Sequence, residues 1–118
     1  MFYVQGTTIT LSRGDTGSVK IGSTGYDFGT DDRALFTLRN GAGVAIMETA
    51  YELDSEGAFV IQFRNADTDT LPVGSYNWDV RYILNPYYDS SGRIVDGDQV
   101  ITPNLPMQLT ILDTVGEV

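Results

Sequence analysis

The sequence predicts an all-β sandwich of about seven to nine short strands. Three observations carry that expectation. Short runs of alternating apolar and polar residues recur along the chain, with the period of two that half-buried strands require. Gly, Pro, Asn and Asp clusters interrupt these runs every ~8–12 residues, the spacing of turns in all-β domains. Seven Tyr, five Phe and one Trp, together with many Thr and Val, favour pleated structure.

Taken in order, residues 7–12 alternate with Ile9 and Leu11 inward. Arg13-Gly14-Asp15 makes a turn, and residues 16–22 return with Val19 and Ile21 inward, as a hairpin or as two strands split between sheets. Residues 23–31 are rich in Gly, Thr and Asp and read as a loop. Ala34, Phe36 and Leu38 then share one face of a strand, with Arg33, Thr37 and Arg39 on the other. Asn40-Gly41 is a hairpin signal because both residues accept positive φ. That turn favours a strand over Ala45–Leu53, where propensity alone leaves strand and helix open. Ser55-Glu56-Gly57 turns the chain into residues 58–64, with Phe59, Ile61 and Phe63 inward. Residues 65–71 form a polar connection with room for one helical turn.

Residues 71–84, LPVGSYNWDVRYIL, organise the rest. Tyr76, Trp78, Val80 and Tyr82 line one face, and Asn77, Asp79 and Arg81 the other. Pro72 and Gly74 punctuate the entry. An aromatic opening a central strand just after a turn is similar to the tyrosine corner of immunoglobulin-like sandwiches, so an immunoglobulin-like antiparallel sandwich is expected. Beyond this strand, Asn85 to Gly92 read as a long loop, and residues 93–102 as a short arm broken at Asp96-Gly97. Pro103 and Pro106 flank Leu105 at an edge or sheet crossing. Met107, Leu109 and Ile111 face inward from a last strand, and residues 113–118 form a fraying tail. With no repeat and no linker, residues 1–118 read as one domain.

Composition excludes several functions. Sixteen acidic residues against seven basic give a net charge of −9, which disfavours nucleic acid and anionic membrane surfaces. The absence of Cys and His removes disulfides, thiolate and imidazole metal sites, and Cys–His or Ser–His–Asp nucleophile systems. No apolar run reaches the ~18 residues of a membrane helix, and MFYVQGTT lacks the features of a signal peptide. No enzyme activity and no cofactor are expected.

The candidate sites that survive are weak. Arg13-Gly14-Asp15 matches an adhesion tripeptide, but Gly-Asp also simply makes a turn. Asp27, Asp31 and Asp32, then Asp67 and Asp69, then Asp89, Asp96 and Asp98 suggest calcium loops. Their spacing is not that of an EF-hand, and Asp is the common turn residue, so no metal is expected. Glu48 and Asp79 are a carboxylate pair that only the right separation would make a glycosidase. Asp79 on a polar strand face is more simply a cross-strand partner for an Arg. Two aromatic groups remain as partner-binding residues. Phe2, Tyr3 and Val4 open the chain, and Tyr87 and Tyr88, with Tyr26 or Phe28, sit on loops.

Residues 9–21 (ITLSRGDTGSVKI), 32–40 (DRALFTLRN) and 71–84 together resemble the N-terminal domain of tailed-phage baseplate upper proteins and related prophage tail proteins of Gram-positive bacteria. That family opens on a strand, a Gly-Asp-Thr turn and a second strand, matched here at Gly14-Asp15-Thr16. The resemblance spans most of the chain and rests on structural signatures. It implies an immunoglobulin-like virion protein, made in the bacterial cytoplasm and built into the tail. Its partners would be other tail or baseplate proteins and, weakly, copies of itself. Family members continue into segments that hold receptor-binding modules, whereas this chain stops at Val118, which favours an assembly or adaptor role. The alternative is a carbohydrate-binding or adhesin-type sandwich that uses the loop tyrosines.

Overall fold

Alternation sets which side chains face the core in the computed structural model, which describes residues 2–22, 28–102 and 107–112, although β2 and β4 are buried on both faces. The elements are β1 (Phe2–Gln5), β2 (Thr8–Ser12), β3 (Gly17–Ile21), β4 (Arg33–Arg39), β5 (Ala45–Glu52), β6 (Phe59–Phe63), a helical turn α1 (Asn65–Thr68), β7 (Gly74–Tyr88), β8 (Ile94–Ile101) and β9 (Met107–Leu112). Strands β3 and β6 form a small sheet. The others form a large one in the order β1-β2-β9-β7-β4-β5, with β8 also paired to β7. The third and sixth strands thus lie opposite the fourth, seventh and ninth, as the two layers of a β-sandwich.

The core fills the space between the sheets. Phe36, Leu38, Trp78 and Tyr82 from the large sheet meet Phe59, Ile61 and Phe63 from the small one. Phe36 meets Phe63 edge-on, with ring centroids 5.8 Å apart, and Phe59 meets Tyr82 edge-on at 6.2 Å. The Trp78 indole N–H donates to the Thr7 and Gln108 carbonyls, each at 3.2 Å, and so ties β7 to β9 beside it and to the β1–β2 turn beyond. Tyr76 donates its hydroxyl to the Pro72 carbonyl at 2.5 Å, closing the tyrosine corner.

The expected antiparallel sheet is mixed in one place. Strands β2 and β9 run parallel, Ile9 beside Leu109 and Ser12 beside Leu112. A parallel pair needs a long crossover, and here nearly the whole chain supplies it. Strands β2 and β3 fall in different sheets, which settles the hairpin alternative.

Strand β7 is longer than expected. The stretch 85–92 is not a loop, because β7 runs on to Tyr88, and only residues 89–93 turn. Strand β8 is likewise unbroken at Asp96-Gly97. Pro86 survives inside a strand because β4 pairing ends at Ile83, so only β8 flanks β7 there. Gly97 is required by close approach, since a Cβ would overlap Ile83 Cγ2. Pro103, Leu105, Pro106 and residues 113–118 lie outside the described residues, as do residues 23–27 of the predicted loop.

Three turns share one device. Asn40, Asp54 and Asp89 each accept two backbone N–H groups on one Oδ1, from the residues two and four positions on. Gly43, Gly57 and Gly92, three positions on, take φ of 82°, 77° and 85°. Asn40-Gly41 therefore marks the β4–β5 turn, but the positive φ sits at Gly43.

Trp78 is 2% exposed at the centre of this frame. Trp78→Ala is expected to cost about 3–5 kcal/mol through the cavity it leaves. The check is urea unfolding with an unchanged m-value.

Candidate functional site

Among the described residues, one non-glycine residue with positive φ shapes the surface. Asn85 takes φ of 49° in the middle of β7, and its N–H donates to Oδ1 of the buried Asp32 at 2.8 Å. Asp32 also accepts the Gly29 N–H on its other oxygen at 2.7 Å, which fixes the carboxylate just before β4. Beyond this bend the β7–β8 hairpin lies over the outer face of the large sheet. Ile94 of β8 packs there with Leu35 of β4 and Ile83 of β7, forming a small cluster apart from the main core. Arg93 Nε bonds Glu48 Oε1 of β5 at 3.1 Å and anchors the hairpin tip.

Burial on this outer face was missed at the sequence level. Thr37 was expected outside but is fully buried. The available signal was Leu35 and Ile83, apolar residues in the polar phase of their strands, which mark strands covered on both faces.

Between hairpin and sheet runs a groove of about 340 Å³, with Leu35, Ile83, Ile94, Val95 and Val100 among its lining. Arg81 enters it from β7, opposite Leu35. Val95 and Val100 are exposed at its wall.

The sequence-predicted partner residues fall in two separate places. Phe2 of β1 lies over Gly17, where a Cβ would overlap its ring, and packs on Phe63 with centroids 5.9 Å apart. Strand β1 thereby folds onto its own sheet as an edge, leaving Tyr3 and Val4 exposed. Tyr87 and Tyr88 stand on strand β7 rather than on a loop. The Tyr87 hydroxyl donates to Asp98 Oδ1, while Asn85 Nδ2 donates to Asp98 Oδ2 at 2.8 Å. Tyr88 instead lines a smaller cavity of about 200 Å³ beside Leu35 and Ala50. Phe28 stacks on Tyr82 at 5.0 Å, and Tyr26 lies outside the described residues.

The acidic residues act mostly as acceptors for the chain itself. Asp67 receives the Arg64 N–H at 2.9 Å, and Asp79 pairs with Arg39 across the β4–β7 ladder. Asp89 clamps its turn. Among the described residues no group of three or more carboxylates is placed to hold a metal ion. Asp27 lies outside them. The Arg13-Gly14-Asp15 turn is latched to α1, with Asn65 Nδ2 donating to the Gly14 carbonyl at 2.7 Å and Thr68 Oγ1 to the Asp15 carbonyl at 2.9 Å. Glu48 and Asp79, the carboxylate pair considered for hydrolysis, are each engaged by an arginine.

No family model matches the chain, and neither the curated proteins nor the solved structures yield a match.

Two outcomes are expected from these contacts. The Tyr87 hydrogen bond, then that from Asn85, holds the Asp98 carboxyl below its usual range, and the same bond to Asp98 pushes the Tyr87 phenol up. The Asp98 contribution is therefore complete above the unfolded carboxyl value of about 3.9 and is lost as pH falls through the lower folded value. The Tyr87 contribution is complete below about 10 and is lost as pH rises through its higher folded value. In Tyr87→Phe, an NMR titration of the Asp98 carboxyl should show its midpoint rising toward the unperturbed value. Calorimetric titration with calcium should show no saturable site at micromolar concentration; one such site would assign ligands to the Asp27–Asp32 or Asp89–Asp98 segments.

Proposed function

We propose that the chain is a non-enzymatic structural or adaptor component of a phage or prophage tail, acting by protein–protein assembly in the virion. The observation that carries this reading is the bare edge at β1. Its outer side pairs with nothing among the described residues, its sequence Phe-Tyr-Val-Gln holds no charge, and Tyr3 and Val4 stand 48% and 41% exposed along it. Soluble domains normally guard such an edge with charge or Pro, because unpaired N–H and C=O groups accept a strand from another chain. The only Lys is Lys20, on β3 of the other sheet. The resemblance of residues 9–21, 32–40 and 71–84 to baseplate proteins gives the assembly its setting. A carbohydrate module is less well supported. The Tyr87 hydroxyl is engaged by Asp98 and Tyr88 lines a different cavity, so the two rings form no common platform.

Mass spectrometry of gradient-purified tails from the producing bacterium tests the setting: peptides of this chain should be present, and their absence would overturn it. Light scattering tests the edge. A charge of −9 opposes association at low salt, so weak self-association should strengthen with added salt and vanish in a variant lacking residues 1–5. A strict monomer at both salts, with binding to a polysaccharide array, would favour the carbohydrate module.

A further inference from the structure

We propose that the groove under the β7–β8 hairpin binds a short aliphatic carboxylate, anchored by Arg81. The argument starts from an imbalance. Arg33, Arg39, Arg64 and Arg93 each pair with a carboxylate, yet the Arg81 side chain makes no ion pair or hydrogen bond with the described residues. Its Nε is buried without a partner in a chain that carries 16 acidic residues. Arg81 is half-buried, so the rest of its guanidinium fork can meet the two oxygens of a carboxylate in the groove.

The carboxylates already in the groove do not serve. Glu48 is held by Arg93 at 3.1 Å, and Asp96 turns Oδ1 to the Gly97 N–H at 2.8 Å. With Glu48 and Arg93 paired to each other, Arg81 and Asp96 are the remaining charges of the lining, and no ion pair joins them among the described residues. The rest of the lining sets the ligand class. Leu35, Ile83 and Ile94 form the apolar cluster beneath, and Val95 stands 60% exposed at the wall. These aliphatic groups suit an alkyl stem and offer no hydrogen bonds to a peptide backbone, whose amides would be left unpaired. A volume of about 340 Å³ lies at the small end of ligand pockets and suits a stem of roughly four to six carbons. The site stands on these observations whether or not the chain belongs to a tail.

The test is an NMR titration of the full chain with sodium hexanoate. Saturable shifts should appear at the Leu35, Ile83 and Ile94 amides with a dissociation constant of about 1 mM or tighter. Hexanol, which lacks the charge, should bind at least about tenfold more weakly. Arg81→Gln should weaken hexanoate by a similar factor. Val95→Glu serves as a second variant, because Val95 is exposed and its replacement need not disturb the core. It brings a carboxylate to the groove wall and should weaken hexanoate by about tenfold through competition for Arg81. The proposal is overturned if hexanoate produces no saturable shift up to about 20 mM, if hexanol binds as well, or if Val95→Glu binds like the wild type. A blocked Leu-Glu-Val peptide binding more than about tenfold tighter than hexanoate would also overturn it, assigning the groove to a side chain of a protein partner instead.

Discussion

The length of β7 is the constraint on which the rest of the structure depends. Fifteen extended residues at about 3.3 Å each span about 50 Å, close to the 49 Å long axis of the molecule. No single neighbour of six to eight residues can pair such a strand along one side. It therefore takes β9 along Gly74–Trp78 and β8 along Tyr82–Tyr88 on the same flank, with β4 opposite Asn77–Ile83. The first half of the strand is ordinary sandwich, fixed by the tyrosine corner and the Trp78 indole. The second half has outrun the small sheet, and the Asp32–Asn85 hydrogen bond sets where it turns away. The groove, the second apolar cluster and the Arg93–Glu48 pair all follow from that turn.

A chain with this excess of acid uses much of it as hydrogen-bond acceptor. Asp54 and Asp89 do what Asn40 does, taking two N–H groups on one oxygen, and these bonds favour the ionised form. Both carboxyls accordingly sit below the usual range, Asp54 chiefly through the Ala58 N–H and Asp89 chiefly through the Ser91 hydroxyl. Their contribution is complete above the unfolded carboxyl value and fades as pH falls through the folded one. Acid would therefore loosen the β5–β6 and β7–β8 turns directly, whereas the β4–β5 turn, held by an amide, has no such dependence.

Most of the frame was legible in the sequence because most strands obey a period of two. Ile9 and Leu11, Phe36 and Leu38, Phe59, Ile61 and Phe63, and Tyr76 through Tyr82 are buried in the predicted phase. What alternation could not convey was the fate of chain that leaves the sandwich. Asn85-Pro86 and Asp96-Gly97 carry the composition of loops, and only pairing with each other makes them strands. Arg81 was legible as a polar-face residue, but its isolation depends on where every acid on that face has gone. The residues of β1 were legible as apolar material for a sheet edge, and the packing of Phe2 over Gly17 and Phe63 was not.

The parallel pairing of β2 with β9 also has a mechanical meaning. These two strands lie near opposite ends of the sequence, so tension applied through the chain on both sides draws them in opposite directions along a shared axis. The four register positions from Ile9–Leu109 to Ser12–Leu112 are then loaded together, in shear. An antiparallel hairpin pulled from its open end parts one rung at a time, as β1 does when it peels from β2. A sandwich clasped in this way resists a pull on both β2 and β9 while its core stays closed.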